Sequence, residues 1–113
     1  MVAIIGEAVL PSSDSIRIEG STDLFVIEGN VASPREVPEV KKNLELIREG
    51  STYRCSFTTN SGEEDIKVRE EQMRVTQLSV KENESLPNEL RLSFRMLLVP
   101  QDVPSGRASE SLG

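Results

Sequence analysis

The chain has 113 residues, enough for one ordinary domain with a buried core, and its 13 basic and 19 acidic side chains give a net charge of -6. It contains no histidine and a single cysteine, Cys55. This composition excludes the usual general base, an internal disulfide and a cysteine-rich zinc site. The acidic balance and the small number of aromatic residues also argue against nucleic-acid binding.

Apolar patterns typical of strands dominate the first thirty residues. Residues 2–10 are interpreted as one opening strand with two apolar faces. Residues 16–18 alternate between apolar and charged side chains before Glu19-Gly20, which is typical of a turn. Residues 24–27 are apolar throughout, as expected for a strand that is buried on both faces.

Segment 38–49 admits two interpretations. As a helix it has Pro38 in its first turn and Gly50 just past its end, and an apolar stripe is formed by Val40, Leu44 and Ile47. As a strand it alternates over residues 44–46 and turns at residues 49–50. The length of the segment and its pair of helix-breaking residues favour the helix.

The second half of the chain predicts further strands. A strand over residues 53–57 is followed by a turn at residues 60–62, and residues 66–68 resume the alternation. Residues 73–75 and 78–80 both alternate but are out of phase, which predicts a β-bulge at Thr76-Gln77. We expect a loop over residues 82–88, and then a last strand that Pro100 ends.

Eight or so short strands at this spacing predict a mainly β protein. The expected architecture is an antiparallel β-sandwich or a small β-barrel with one short helix over residues 38–49. Residues 1–100 should form a single β domain, and residues 101–113 a polar and mobile C-terminal tail. No stretch reaches the ~20 apolar residues that span a bilayer, and the apolar opening lacks a basic flank. We therefore expect no membrane contact and a cytoplasmic location, or one within an assembled particle, rather than secretion.

A short motif spans residues 41–54. Its parts are Lys41-Lys42, Leu46-Ile47, Arg48-Glu49-Gly50 and Tyr53-Arg54. This stretch resembles one strand-turn-strand unit of the Rho GDP-dissociation inhibitors, whose immunoglobulin-like sandwich has Lys-Lys, an apolar pair, Lys-Glu-Gly and Tyr-Arg at the same spacing. The resemblance implies a sandwich and makes residues 38–50 a strand. The family's regulatory N-terminal arm and the aromatic-rich strands of its prenyl-binding cavity have no counterpart here, so prenyl binding and a GTPase partner are not carried over.

Candidate catalytic groups are few. Cys55 shares a strand face with Tyr53 and Phe57, so we expect it to be buried and inert. The acidic runs 63–65 and 70–71 could hold calcium or supply carboxylate chemistry, but consecutive carboxylates on a strand point to opposite faces. The sequence therefore predicts no enzyme, no cofactor and no metal site.

These exclusions favour a non-enzymatic protein–protein interaction module. We expect a structural or accessory subunit of a larger assembly, for example a virion accessory protein, which binds a protein partner or associates with itself. The opening strand needs cover on both faces, and arginines on outward strand positions suit salt bridges to a partner. The candidate partner-binding residues are Val2, Ile4, Arg74, Arg91 and Arg95. The alternative is a β-sandwich that carries a lipid or another apolar ligand between its sheets.

Overall fold

The computed structural model describes residues 1–61, 64–86 and 89–101. Within these residues the chain forms β1 (Val2–Ile5), β2 (Ala8–Leu10), β3 (Ile16–Gly20), β4 (Phe25–Val31), α1 (Glu36–Leu44), β5 (Thr52–Ser61), β6 (Glu64–Leu86) and β7 (Glu89–Pro100). The strands form one sheet in the order β2-β1-β5-β6-β7-β4-β3, and every neighbouring pair is antiparallel. The prediction of a mainly β, antiparallel fold with one short helix is confirmed.

The long strand β6 belongs to both halves of the sheet. Its first part pairs with β5 as far as Arg74, and its second part pairs with β7 from Met73 onward. The register shifts between Val75 and Gln77, which confirms the predicted bulge. A bulge bends its strand and increases the local twist. Here it turns one sheet into two layers, β2-β1-β5-β6 and β6-β7-β4-β3, which share β6 as their corner.

The two layers meet in the core. The rings of Phe57 on β5 and Phe25 on β4 are stacked, with their centroids 4.6 Å apart and an angle of 14° between their planes. In the sheet these strands are separated by β6 and β7, so the rings can touch only because the sheet folds over on itself. The other fully buried side chains of the core include Ile5, Leu10, Ile27, Val31, Met73, Val75, Leu92, Met96 and Leu98.

Helix α1 covers the same core. Val37, Val40 and Leu44 are buried, and so is Ile47, which follows the helix. Glutamates in the first turn and lysines in the last turn of α1 suit the helix dipole. The helix predicted at 38–49 is confirmed in type, but it begins two residues earlier and ends at Leu44, because the N–H groups of Leu46 and Ile47 bond carbonyls three positions back. The strand that the family resemblance implies at 38–50 is not observed.

Two predicted segments were wrong, the single strand over residues 2–10 and the loop over residues 82–88. Residues 2–10 form a hairpin rather than one strand, because Gly6, with a φ of 62°, turns the chain between β1 and β2. The inward side chains are therefore Ala3, Ile5, Ala8 and Leu10. The loop predicted at 82–88 is strand as far as Leu86, since β6 and β7 continue their ladder there despite the polar sequence. Residues 87–88, and residues 102–113 of the predicted tail, lie outside the described residues.

Candidate functional site

The thiol of Cys55 lies on the inner face of β5 and is fully buried, as predicted. Its Sγ donates a hydrogen bond to the carbonyl oxygen of Tyr53 at 3.5 Å. Burial raises the pKa of Cys55 from 9.0 to about 11; a backbone hydrogen bond from Met73 opposes the rise, and the nearby Glu71 carboxylate adds to it. The group is therefore a protonated, apolar side chain at neutral pH and not a nucleophile.

This raised pKa predicts a pH-dependent loss of stability. Above pH 9 the unfolded chain loses the thiol proton while the folded chain keeps it, so the free energy of unfolding falls as the pH rises toward 11. For Cys55 the loss should be roughly 2 kcal/mol. Urea titrations between about pH 8 and pH 11 should show it in the wild type but not in Cys55→Ala. Parallel pH profiles for the two proteins would contradict this account.

The acidic runs do not converge on one point in the described residues. Glu63 lies outside the described residues, and nothing is described for the side chains of Glu64 and Asp65. Glu70 and Glu71 lie on opposite faces of β6, with Arg54 at 3.4 Å from Glu70 and the Arg69 guanidinium bonded to Glu71 at 2.7 and 2.9 Å. No group of three metal-ligating side chains is found in the described part of the chain.

The five predicted partner-binding residues fall on two different surfaces. Val2 and Ile4 lie on the outer face of β1 in the first layer, where Ile4 stands opposite Val9. Ile4 and Val9 are exposed by 36% and 41%, whereas Val2 is half-buried. The arginines, by contrast, lie on the outer side of β6 and β7: Arg74, Arg91 and Arg95. The structure therefore places Arg91 and Arg95 on the second layer and the apolar pair on the first, with Arg74 on the corner strand β6 that both layers share.

The outer side of β6 and β7 carries a stripe of cations that we call the β7 face, defined by Arg74, Lys81, Arg91, Arg95, Leu97 and Val99. Arg74 stands opposite Val99, and Lys81 stands opposite Ser93. The four cations are exposed, and the two apolar side chains are half-buried. Val99, the partner of Arg74, lies eight residues from Arg91 along β7, so the stripe is about 27 Å long.

The electrostatics of the β7 face are unlike those of the whole chain. Glu28 on β4 accepts a hydrogen bond from Arg95 at 3.2 Å and one from Arg17 of β3 at 3.4 Å. In the part of the chain that the structure describes, Arg74, Lys81 and Arg91 form no ion pair. Three of the four cations of this stripe therefore have no carboxylate partner among the described residues, although the chain as a whole is acidic. The sequence analysis did not include Lys81 among the partner-binding residues. Lys81 is two residues from Ser79 in the strand after the bulge, so the two side chains share the outer face.

One outer edge of the sheet is closed by α1. The side-chain oxygen of Asn43, a buried residue, accepts a hydrogen bond from the N–H of Val9 at 2.8 Å. The Asn43 amide nitrogen in turn donates to the carbonyl of Glu39 at 2.9 Å. The edge of β2 is therefore occupied by a side chain of this protein, which is one of the ways that sheets avoid unintended pairing.

A surface groove of about 440 Å³ lies where β3 turns into β4. Its lining is Met1, Ile18, Gly20, Ser21, Thr22, Phe25 and Arg69. The guanidinium of Arg69 lies 5.0 Å from the Phe25 ring centroid and donates hydrogen bonds to the carbonyls of Ser21 and Thr22 at 3.0 and 3.2 Å. Arg69 thus fixes the turn between β3 and β4 against β6.

No helix in the described residues is long and apolar enough to cross a membrane. Comparison with models of protein families, with characterised proteins and with solved structures finds no match to this chain.

Proposed function

We propose that this protein is a non-enzymatic protein-binding module that docks an acidic protein surface on its β7 face. The observation that carries the proposal is the row of Arg74, Lys81 and Arg91, which are exposed and have no carboxylate partner among the described residues. Opposite charges across an interface speed the encounter and set the orientation of the partners. The face suits a partner that brings carboxylates to a flat sheet.

The rest of the acidic chain strengthens this orientation. With a net charge of -6, the remainder of the surface repels an acidic partner, and the β7 face attracts it. Half-buried Leu97 and Val99 lie beside the cations and supply apolar area to bury on contact. Attraction and repulsion together favour one docking direction, which is how interfaces gain specificity.

A protein partner fits this face better than a nucleic acid. Single strands stack their bases on exposed aromatic rings, whereas Phe25, Phe57 and Phe94 are buried in the core. The Tyr53 hydroxyl accepts a hydrogen bond from the backbone N–H of Arg48 at 2.9 Å.

The role that follows from a protein-binding face is that of a structural or accessory subunit in a larger assembly, of which a virion accessory protein is one example. A single, buried thiol suits a cytoplasmic setting or one within such a particle.

The carrier alternative is less well supported. An apolar ligand between the layers would have to displace the stack of Phe25 and Phe57, whose centroids are 4.6 Å apart. The groove beside β3 is open to solvent and is lined in part by Ser21, Thr22 and the guanidinium of Arg69. These features favour the interaction module over a lipid carrier.

Binding of a fluorescein-labelled peptide of alternating Glu and Leu residues, followed by anisotropy, tests the proposal. The variant Arg74→Glu/Arg91→Glu should raise the Kd of the peptide about tenfold or more, because two attractive contacts become repulsive. The control Arg35→Glu/Lys42→Glu has the same net charge but changes two exposed cations at the start and in the last turn of α1, a helix that packs on the core side of the sheet. Equal weakening in both variants, or tighter binding of a DNA oligonucleotide than of the peptide, would overturn the proposal.

A further inference from the structure

The other end of the sheet presents main-chain groups that no described residue covers. β3 is the terminal strand and has β4 as its one neighbour among the described residues. The N–H of Ser21 bonds the carbonyl of Leu24 at 2.8 Å, and the N–H of Asn30 bonds the carbonyl of Ser15 at 2.9 Å. Because hydrogen-bonding direction alternates along an antiparallel strand, Ile18 and Gly20 direct their N–H and C=O groups away from β4.

The free edge of β3 differs from the closed edge of β2. At β2 the side chain of Asn43 bonds the N–H of Val9. At β3 the inward side chains of Ile16 and Ile18 are only half-buried, so solvent reaches the inner side of this edge. An edge of this kind accepts a further strand through main-chain hydrogen bonds.

The outer face of β3 shows which strand fits. Arg17 and Glu19 both point outward, and their side chains are 71% and 67% exposed. We propose that a second copy of this chain pairs its β3 antiparallel to this one, with Ile18 opposite Ile18. In that arrangement Arg17 of each copy stands opposite Glu19 of the other, and the two-fold axis passes between the two Ile18 residues. The two sheets become one sheet of double width.

Charge selects this register over its neighbours. Only every second residue of β3 directs its N–H and C=O groups outward, and these residues must face each other in a paired edge. The two neighbouring registers are therefore centred one residue away from Ile18, on Arg17 or on Glu19. The neighbouring register on one side places Arg17 opposite Arg17, and that on the other side places Glu19 opposite Glu19. Like charges directly opposite each other destabilise a strand pair. The register centred on Ile18 therefore has the only favourable charge pairing of the three.

The main chain of β3 also matches this register. The two Ile18 residues exchange a reciprocal pair of N–H to C=O bonds across the axis. The N–H of Gly20 in each copy donates to the carbonyl of Ile16 in the other. The N–H of Ile16 is already bonded to the carbonyl of Ser13 at 3.2 Å and takes no part.

The second half of β6 also has a free side, but it lacks this self-complementarity. Beyond Val75 its one neighbour among the described residues is β7. Its adjacent charges, Lys81 and Glu82, lie on opposite faces, and Glu82 is 3.1 Å from Lys41 of α1. No antiparallel register of two such strands brings a Lys81 opposite a Glu82, since paired residues share a face.

The dimer concerns a different surface from the β7 face, so either proposal can fail without the other. Sedimentation equilibrium of the full chain from about 5 to 500 µM should show a species of twice the 12.5 kDa chain mass that grows with concentration. Arg17→Glu alone and Glu19→Arg alone should each weaken the dimer about tenfold or more, because each replaces two opposite-charge pairs by two like-charge pairs. An equimolar mixture of the two variants should restore dimers, since the mixed pair regains opposite charges at both positions.

A backbone variant tests the same pairing without a change of charge. Ile18→Pro removes the outward N–H of Ile18 and leaves the ladder to β4 intact, because that N–H does not face β4. It should remain folded by circular dichroism and become monomeric, while the charge control Arg54→Glu should still dimerise. A monomeric wild type over the whole range, a folded Ile18→Pro that still dimerises, or a mixture of charge variants that stays monomeric would overturn the proposal.

Discussion

Phe57→Ala is expected to lower the free energy of unfolding by about 3–5 kcal/mol. Phe57 is fully buried, and its ring stacks on Phe25 of the other layer. Truncation removes this contact and leaves a cavity at the place where the folded sheet meets itself. Because a domain of this size has a total stability of about 5–15 kcal/mol, the variant should be marginally folded at room temperature.

Urea denaturation followed by far-UV circular dichroism measures this loss. The matched control is Val9→Ala, which also truncates an apolar strand residue but at a position that is 41% exposed on the outer face. The control should lose less than about 1 kcal/mol. If Phe57→Ala lost no more stability than Val9→Ala, the inter-layer stack would not be what holds the two layers together.

Gly29→Ala should destabilise the protein by about 1–3 kcal/mol, although the same change in an open strand would stabilise it. Gly29 on β4 stands directly opposite Phe94 on β7. A Cβ at this glycine would lie within 2.9 Å of three atoms of the Phe94 ring. That ring is only 4% exposed, so it can move away only by disturbing the core.

A double variant separates this overlap from a general effect of the strand. Phe94→Leu on its own should destabilise the protein by loss of buried area. In Gly29→Ala/Phe94→Leu the smaller side chain leaves room for the new methyl group. The loss in the double variant should therefore be smaller than the sum of the two single losses. Strictly additive losses would show that the ring of Phe94 does not limit the size of residue 29.

The sequence predicted what lies within a single strand better than what lies between strands. The two out-of-phase runs on either side of Thr76 indicated the bulge, because an extra residue shifts which side chains are buried. The apolar run 24–27 predicts a strand buried on both faces, yet Leu24, just before β4, is 38% exposed and Val26 is half-buried, because β4 packs only one face on the core. The polar stretch 82–88 predicts a loop, but the ladder to β7 holds residues 82–86 as a strand.

The grouping of the candidate site residues could not be predicted in this way. Alternation shows that Ile4 and Arg91 each point outward, but it does not show that they lie on different layers. That arrangement follows from the fold of the sheet at β6, which depends on strand order. The hairpin at Gly6 could not be predicted from alternation, since residues 2–5 and 8–10 are apolar on both faces, and only the structure shows that Ile5 and Ala8 both point inward.

Quantitative affinity capture with three versions of the protein tests the proposed function most directly. Wild type, Arg74→Glu/Arg91→Glu and the charge-matched control Arg35→Glu/Lys42→Glu are immobilised in equal amounts, exposed to an extract of the source cells, and washed at low and at high salt. We predict at least one acidic protein that wild type and control retain at low salt, that high salt releases, and that the β7-face variant fails to retain. The same set of captured proteins on all three versions would contradict the claim that this protein works through its β7 face.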